Sequence, residues 1–171
     1  AEVGQWTQDW DAAKKLAKEK DLPIILNFTG SDWCGWCKLM GRQVFSKQEW
    51  QDYAKDKLVL VWLDFPQNKS LVPEKYVARN KQLSEQFNVK GYPTYIVLQS
   101  DGVTTLGQLG ASREATVKSF IDDLEKLTVR PAKIAKLDAT KKAAYEKALA
   151  AKVAIEKEKD ELDAKVKEYF E

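Results

Sequence analysis

The apolar run Ile24-Ile25-Leu26-Asn27-Phe28 passes through a short loop, Thr29-Gly30-Ser31-Asp32, straight into Trp33-Cys34-Gly35-Trp36-Cys37. A run this short, branched and apolar reads as a strand buried on both faces, and such strands lie in sheets covered by helices on either side. A helix is then expected to begin inside the cysteine motif and to run through Lys38, Leu39, Met40 and Val44. This junction of buried strand, loop and helix start limits the fold more than any other feature of the chain.

Cys34 and Cys37 are the only cysteines, and histidine is absent. A disulfide scaffold needs more cysteines at wider spacing. A structural zinc site needs two further thiolate or imidazole ligands, which the chain lacks. No metal and no cofactor is therefore expected, and the pair reads as redox-active. The 28 basic and 26 acidic residues are interspersed and leave a net charge of +2, which gives no electrostatic footprint for nucleic acid or an anionic membrane. No apolar stretch approaches the roughly 20 residues of a membrane span. The Ala1-Glu2 start suits a chain matured by signal cleavage as well as a trimmed one. The expected location is periplasmic or otherwise exported.

Along the chain, Thr7 is expected to cap a helix reaching Lys18, and Ser46-Lys47-Gln48-Glu49 reads as a capping box for a further helix. Leu58 to Leu63 reads as a second buried strand, followed by a polar, Pro-containing connection from Asp64 to Pro73. A helix with Leu83 and Phe87 comes next. Tyr95-Ile96-Val97-Leu98 reads as a third strand, Asp101-Gly102 as a hairpin turn, and Val103 to Leu109 as the returning strand. Ser112 is expected to cap a helix carrying Val117, Phe120, Ile121, Leu124 and Leu127, which ends near Thr128. The order predicts an α/β fold, a central mixed sheet flanked by helices. From Arg130 the chain turns rich in Ala, Lys and Glu. Ile134, Leu137, Tyr145, Leu149, Val153, Leu162, Val166 and Phe170 form an imperfect apolar stripe there. A strict heptad fails at Lys141, Glu158 and Lys165. This part reads as one long helix or a helical hairpin, which packs on its own domain, pairs two chains, or stays partly disordered.

A dithiol that exchanges electrons needs a reactive thiolate, a second thiol within reach and a means of favouring the thiolate. At a helix start Cys34 meets unpaired N–H groups and the positive end of the helix dipole. Such surroundings bring a cysteine from about 8.5 to between roughly 3.5 and 7.5. Cys37, almost one turn on and expected to lie deeper, is placed to attack a mixed disulfide formed at Cys34. Cys34 is thus the expected nucleophile and Cys37 the resolving thiol, with Trp33 lining the substrate surface.

Trp33-Cys34-Gly35-Trp36-Cys37-Lys38 after a strand and loop, with Gly91-Tyr92-Pro93-Thr94 far downstream, resembles the thioredoxin superfamily. Phe28 to Trp33 and the insert after Asp64 are closest in kind to exported bacterial thioredoxin-like oxidoreductases with a WCGWC motif. The resemblance implies a thioredoxin-like domain over 1–128 and does not cover the C-terminal extension, which its composition alone marks as helical over 129–171. It implies a cis peptide bond at Tyr92–Pro93 facing the cysteines, and a substrate surface made by Trp33, Gly35, Trp36, Tyr92 and Pro93. Family members carry a buried acid on the strand before the motif, and the matching position is Asn27, read here as a hydrogen-bonding strand residue. An amide takes no proton, so Asp32 and Asp64 become the candidates for proton transfer. Trp36 also departs from the family, which has proline there.

The expected function is reduction of disulfides in partner proteins, with an unidentified electron donor recharging the pair. A disulfide isomerase or oxidase that forms a homodimer through the C-terminal helix is the alternative, and a binding module with an idle dithiol is a third.

Overall fold

The computed structural model describes residues 1–168. Its elements are β1 (Trp6–Thr7), α1 (Trp10–Lys20), β2 (Ile24–Thr29), α2 (Gly35–Met40), α3 (Gln48–Ala54), β3 (Val59–Asp64), α4 (Glu74–Gln86), β4 (Thr94–Leu98), β5 (Thr105–Leu109), α5 (Val117–Ala135) and α6 (Ala139–Glu168). One π-helical turn, Gly41–Phe45, continues α2, and a 3-10 turn, Lys69–Leu71, precedes α4.

The strands form one mixed sheet in the order β1-β3-β2-β4-β5. β1 and β2 run parallel to β3, whereas β4 is antiparallel to β2 and β5 to β4. β2 lies at the centre and every one of its residues is buried. Side chains alternate between the two faces of a strand. Ile24, Leu26 and Phe28 thus share one face with Val59, Val61, Leu63, Ile96 and Leu98, under Trp10, Ala13 and Ala17 of α1 and Leu83 of α4. Ile25 shares the other face with Leu60, Tyr95 and Val97, under Met40, Val44, Trp50, Phe120 and Leu124. Each large side chain of this kind contributes about 2 kcal/mol by burial. The two buried layers clamp the C-terminal end of β2, and so fix where the cysteine loop leaves the sheet.

The structure corrects several local expectations. β1 was not foreseen, because two residues are too few to show a period. Asp9, not Thr7, caps α1, its carboxylate accepting from the Ala12 amide at 3.0 Å. Ser46 makes no cap, since its hydroxyl donates to the Arg42 carbonyl at 3.2 Å and closes the π turn. The Ser112 hydroxyl accepts from the Glu114 amide at 3.2 Å within a turn. The cap of α5 is Thr116, which exchanges bonds with Ser119 in both directions, at 2.9 and 3.1 Å. α5 also runs past Thr128 and takes in Pro131, the residues around that proline being adequate helix formers.

The chain divides into two compact units, 1–129 and 130–171. In the second, α6 exposes Leu149, Val153, Ile155, Leu162 and Val166. At 100° per residue, Leu149 and Val153 fall on one side of the helix and Ile155, Leu162 and Val166 on another, so there is no continuous seam among them. Phe170 and the side chain of Ile134 lie outside what the structure describes. Among the described residues, no helix is long and apolar enough to cross a membrane.

Candidate active site at the start of α2

Cys34 is the N-cap of α2. Its amide donates to the Gly30 carbonyl at 2.8 Å, which closes the loop, and its carbonyl accepts from the Lys38 amide at 3.1 Å, which opens the helix. The Cys34 sulfur accepts from the Cys37 amide at 3.1 Å. The two cysteines form a disulfide with their α-carbons 5.2 Å apart. The depth order differs from expectation: Cys34 is only 4% exposed, whereas Cys37 is part-exposed. The loop closure onto Gly30 and the first turn of the helix enclose Cys34, and the next residues of the helix face outward.

Both tryptophans of the motif are 44% exposed, and they have different neighbours. Trp33 is held firmly despite that exposure. Its indole N–H donates to the Phe65 carbonyl at 2.8 Å, and its ring meets Tyr92 edge-on at 5.8 Å. Tyr92 in turn lies against Phe65 at 5.2 Å. The indole packs on the α-carbon of Gly30, where any Cβ would overlap it. Trp36 has no such aromatic neighbour among the described residues, and the Arg113 guanidinium lies over its ring at 5.7 Å. Gly35 is exposed between them.

Tyr92–Pro93 is cis, as the resemblance implies. Tyr92 is half-buried and Pro93 is buried at the entry to β4, where the Thr94 hydroxyl donates to the Gly91 carbonyl at 2.8 Å. The structure therefore brings Trp33 and Tyr92 together, with Phe65 as a third aromatic that the sequence did not single out.

The two acids considered for proton transfer are both engaged elsewhere. Asp64 is 6% exposed, and its two oxygens accept from the Ser31 amide at 2.9 Å and the Ser31 hydroxyl at 2.5 Å. Asp32 accepts from the amides of Gln67 and Asn68 at 3.0 and 2.8 Å. The Asn68 bond foremost holds the Asp32 carboxyl below the usual carboxylate range. Neither has a hydrogen bond to a cysteine among the described residues. Each pins the Pro-containing insert to the cysteine loop, which is a structural task. Asn27 is buried within the sheet, and its side-chain oxygen has no hydrogen-bond partner among the described residues. By register it lies between Trp62 and Tyr95.

No group of three or more Cys, Asp or Glu is placed to hold a metal among the described residues.

Residues 10–125 match the family described as thioredoxin-like domain. The chain belongs to that family. Its fold is thioredoxin-like, a mixed sheet of five strands flanked by helices and followed by a helical C-terminal region. It is 37% identical to a Chlamydia pneumoniae protein named disulfide bond reductase DsbH, over 57% of this chain and 58% of that one. It is 28% identical to the thioredoxin-related protein DsbJ of the same organism, over 56% of this chain and 27% of the other. The chain thus spans less than two thirds of the length of either of these relatives. A solved structure titled DsbH oxidoreductase superposes with a TM-score of 0.68 at 29% identity, covering 76% of this chain and 87% of that one.

Proposed function

We propose that the chain is a thiol–disulfide oxidoreductase that reduces disulfides in partner proteins. The observation that carries this reading is the Cys34 sulfur at the N-terminus of α2, receiving the Cys37 amide while bonded to the Cys37 sulfur. In the reduced protein that N–H and the helix terminus favour a thiolate at Cys34, with no imidazole in the chain to help. The Cys34 thiolate attacks one sulfur of a substrate disulfide. That bond breaks, the other substrate sulfur leaves as a thiolate, and a mixed disulfide forms. The Cys37 thiolate then attacks Cys34, the mixed disulfide breaks, and the second substrate thiolate departs. Two electrons pass to the substrate, the released thiolates take protons from water, and Cys34–Cys37 is left oxidised. A dithiol donor reverses that last bond and recharges the protein.

The likeness to a protein named disulfide bond reductase supports this direction of flow. Trp33 and Tyr92 on one side of the motif, and Gly35 and Trp36 on the other, form the proposed contact surface for substrate, with Pro93 behind Tyr92. An exported setting, where protein disulfides persist, suits such a substrate. An isomerase working as a dimer through α6 needs a continuous apolar seam, and the split apolar faces of that helix favour it less than reduction.

Reduction of insulin with dithiothreitol as donor tests the reading. Wild type should accelerate the reaction. Cys34→Ser should abolish the acceleration, and Cys37→Ser should stop at a mixed disulfide that can be isolated. A wild-type protein no faster than dithiothreitol alone contradicts the proposal.

A further inference from the structure

The side of the motif away from Trp33 carries a feature that exchange chemistry does not require. A groove of about 250 Å³ opens at the dipeptide between the cysteines, lined by Gly35, Trp36, Leu39, Arg42 and Arg113. Its surface is mostly apolar, and Arg42 and Arg113 are the two charged residues at it. Among the described residues no carboxylate lines it, and neither arginine is in an ion pair. Two like charges are thus held at one small, mostly apolar groove at the dipeptide between the cysteines, with no carboxylate among its lining residues.

Their placement is built into the fold. Arg42 is exposed in the π turn between Met40 and Val44, which are both fully buried. Arg113 belongs to the loop after β5, and its carbonyl accepts from the Gln43 side-chain amide at 3.2 Å. That bond ties the loop to the π turn and brings the two arginines to one groove. The Arg113 guanidinium over the Trp36 ring is further restrained by the cation–π contact. Beyond Arg42 the surface continues into a shallow groove of about 700 Å³ that also takes in Lys47 and Lys118, with Glu49 and Asp122 as its acids. Lys118 and Asp122 are bonded to each other at 2.6 Å. Counting Arg42 once, the joined surface carries more positive than negative charge.

We propose that this groove is a recognition subsite for an acidic stretch of polypeptide flanking the disulfide to be reduced. The inference rests on the reductase reading and names the substrate class for it. Guanidinium groups bind carboxylates through paired N–H donors. Exposed Trp36, with Leu39 beside it, offers the large apolar contact that anchors a polypeptide. Because the groove begins between the cysteines, an acid bound there lies within a few residues of the substrate cysteine. Complementary charge at this range raises the rate of encounter and selects among substrates.

Peptides of one sequence, acetylated and amidated, with serine in place of the reactive cysteine, separate binding from redox chemistry. Flanking the serine with Asp-Glu, Asn-Gln or Lys-Lys gives three probes, followed by fluorescence anisotropy and by the NMR signals of the arginine side chains. The acidic probe should bind roughly tenfold more tightly than the neutral one at low salt, the sum of two exposed charge contacts. The ratio should fall towards one at about 0.5 M salt, where screening is short-ranged. R42Q/R113Q should lose the preference, and R42K/R113K should keep most of it. Equal binding of the acidic and neutral probes, or a preference that survives R42Q/R113Q, overturns the proposal. Turnover of bis(2-hydroxyethyl) disulfide, a neutral substrate, by wild-type protein tests the reductase reading by itself, so the two failures cannot be confused.

Discussion

The amide nitrogen of Cys37 lies 3.1 Å from the sulfur of Cys34 and donates a hydrogen bond to it. This contact joins the two halves of the motif and distinguishes the two sulfurs, since the Cys34 sulfur accepts the Cys37 backbone N–H, a bond that favours its anion once the pair is reduced. In the disulfide, however, Cys34 is the more enclosed residue. Charge stabilisation and access therefore point to different cysteines, and thiolate character decides reactivity. In the reduced protein, a limiting amount of iodoacetamide should label Cys34 before Cys37, as read by mass spectrometry of the peptides. Prior labelling of Cys37 contradicts the assignment of roles.

Asp64 holds Ser31 through both oxygens. Asp64→Asn replaces one acceptor by a donor and removes the charge, so it should destabilise the protein by about 2 kcal/mol in urea unfolding. A proton-transfer role predicts a different result, namely unchanged stability with an altered pH profile for closing the Cys34–Cys37 disulfide.

Asp32 ties residues 67 and 68 to the cysteine loop through charge. Its folded pKa is lowered, chiefly by the Asn68 amide. A lowered carboxylate stabilises above its unfolded pKa, and the effect is lost as pH falls through the folded value. Amide protection at Gln67 and Asn68, corrected for intrinsic exchange, should stay flat down to about pH 4 and decline below it. Asp32→Asn should remove that dependence. A decline that persists in the variant assigns the effect to another group.

The frame was legible in the sequence because its central pieces carry strong local signals. β2 and β3 are near-continuous apolar runs, and the Cys34–Cys37 pair at the strand–helix junction gives the site away. Caps were harder to read, since Thr7, Ser46 and Ser112 have the right chemistry but bond to backbone groups other than the helix ends assumed for them. The π turn and β1 leave no periodic trace. The ties that set the motif loop, Ser31 to Asp64, Trp33 to Phe65 and Asp32 to Asn68, join residues more than thirty positions apart. Side-chain bonds over such separations have no pattern in one sequence. The same holds for Arg42 and Arg113, which become neighbours only through the fold.

Phe45 closes the π turn and meets Trp6, Trp50, Tyr95 and Phe120 at centroid distances of 5.5, 5.2, 5.3 and 5.3 Å, each edge-on. Edge-on pairs add to area burial, and a truncated ring leaves a cavity that four large neighbours cannot fill. Phe45→Ala should cost about 3 kcal/mol in unfolding measurements. A loss below about 1 kcal/mol would mean that the cluster relaxes around the gap.

The reduction potential of the Cys34–Cys37 pair tests the central claim most directly. It is obtained by equilibration against glutathione or dithiothreitol, with tryptophan fluorescence as the readout. Thioredoxin-like proteins span about −120 to −270 mV, and a reductase with no cation between its cysteines should lie in the reducing half, below about −200 mV. A value near about −120 mV, where the oxidants of this superfamily lie, would contradict reduction as the direction of flow.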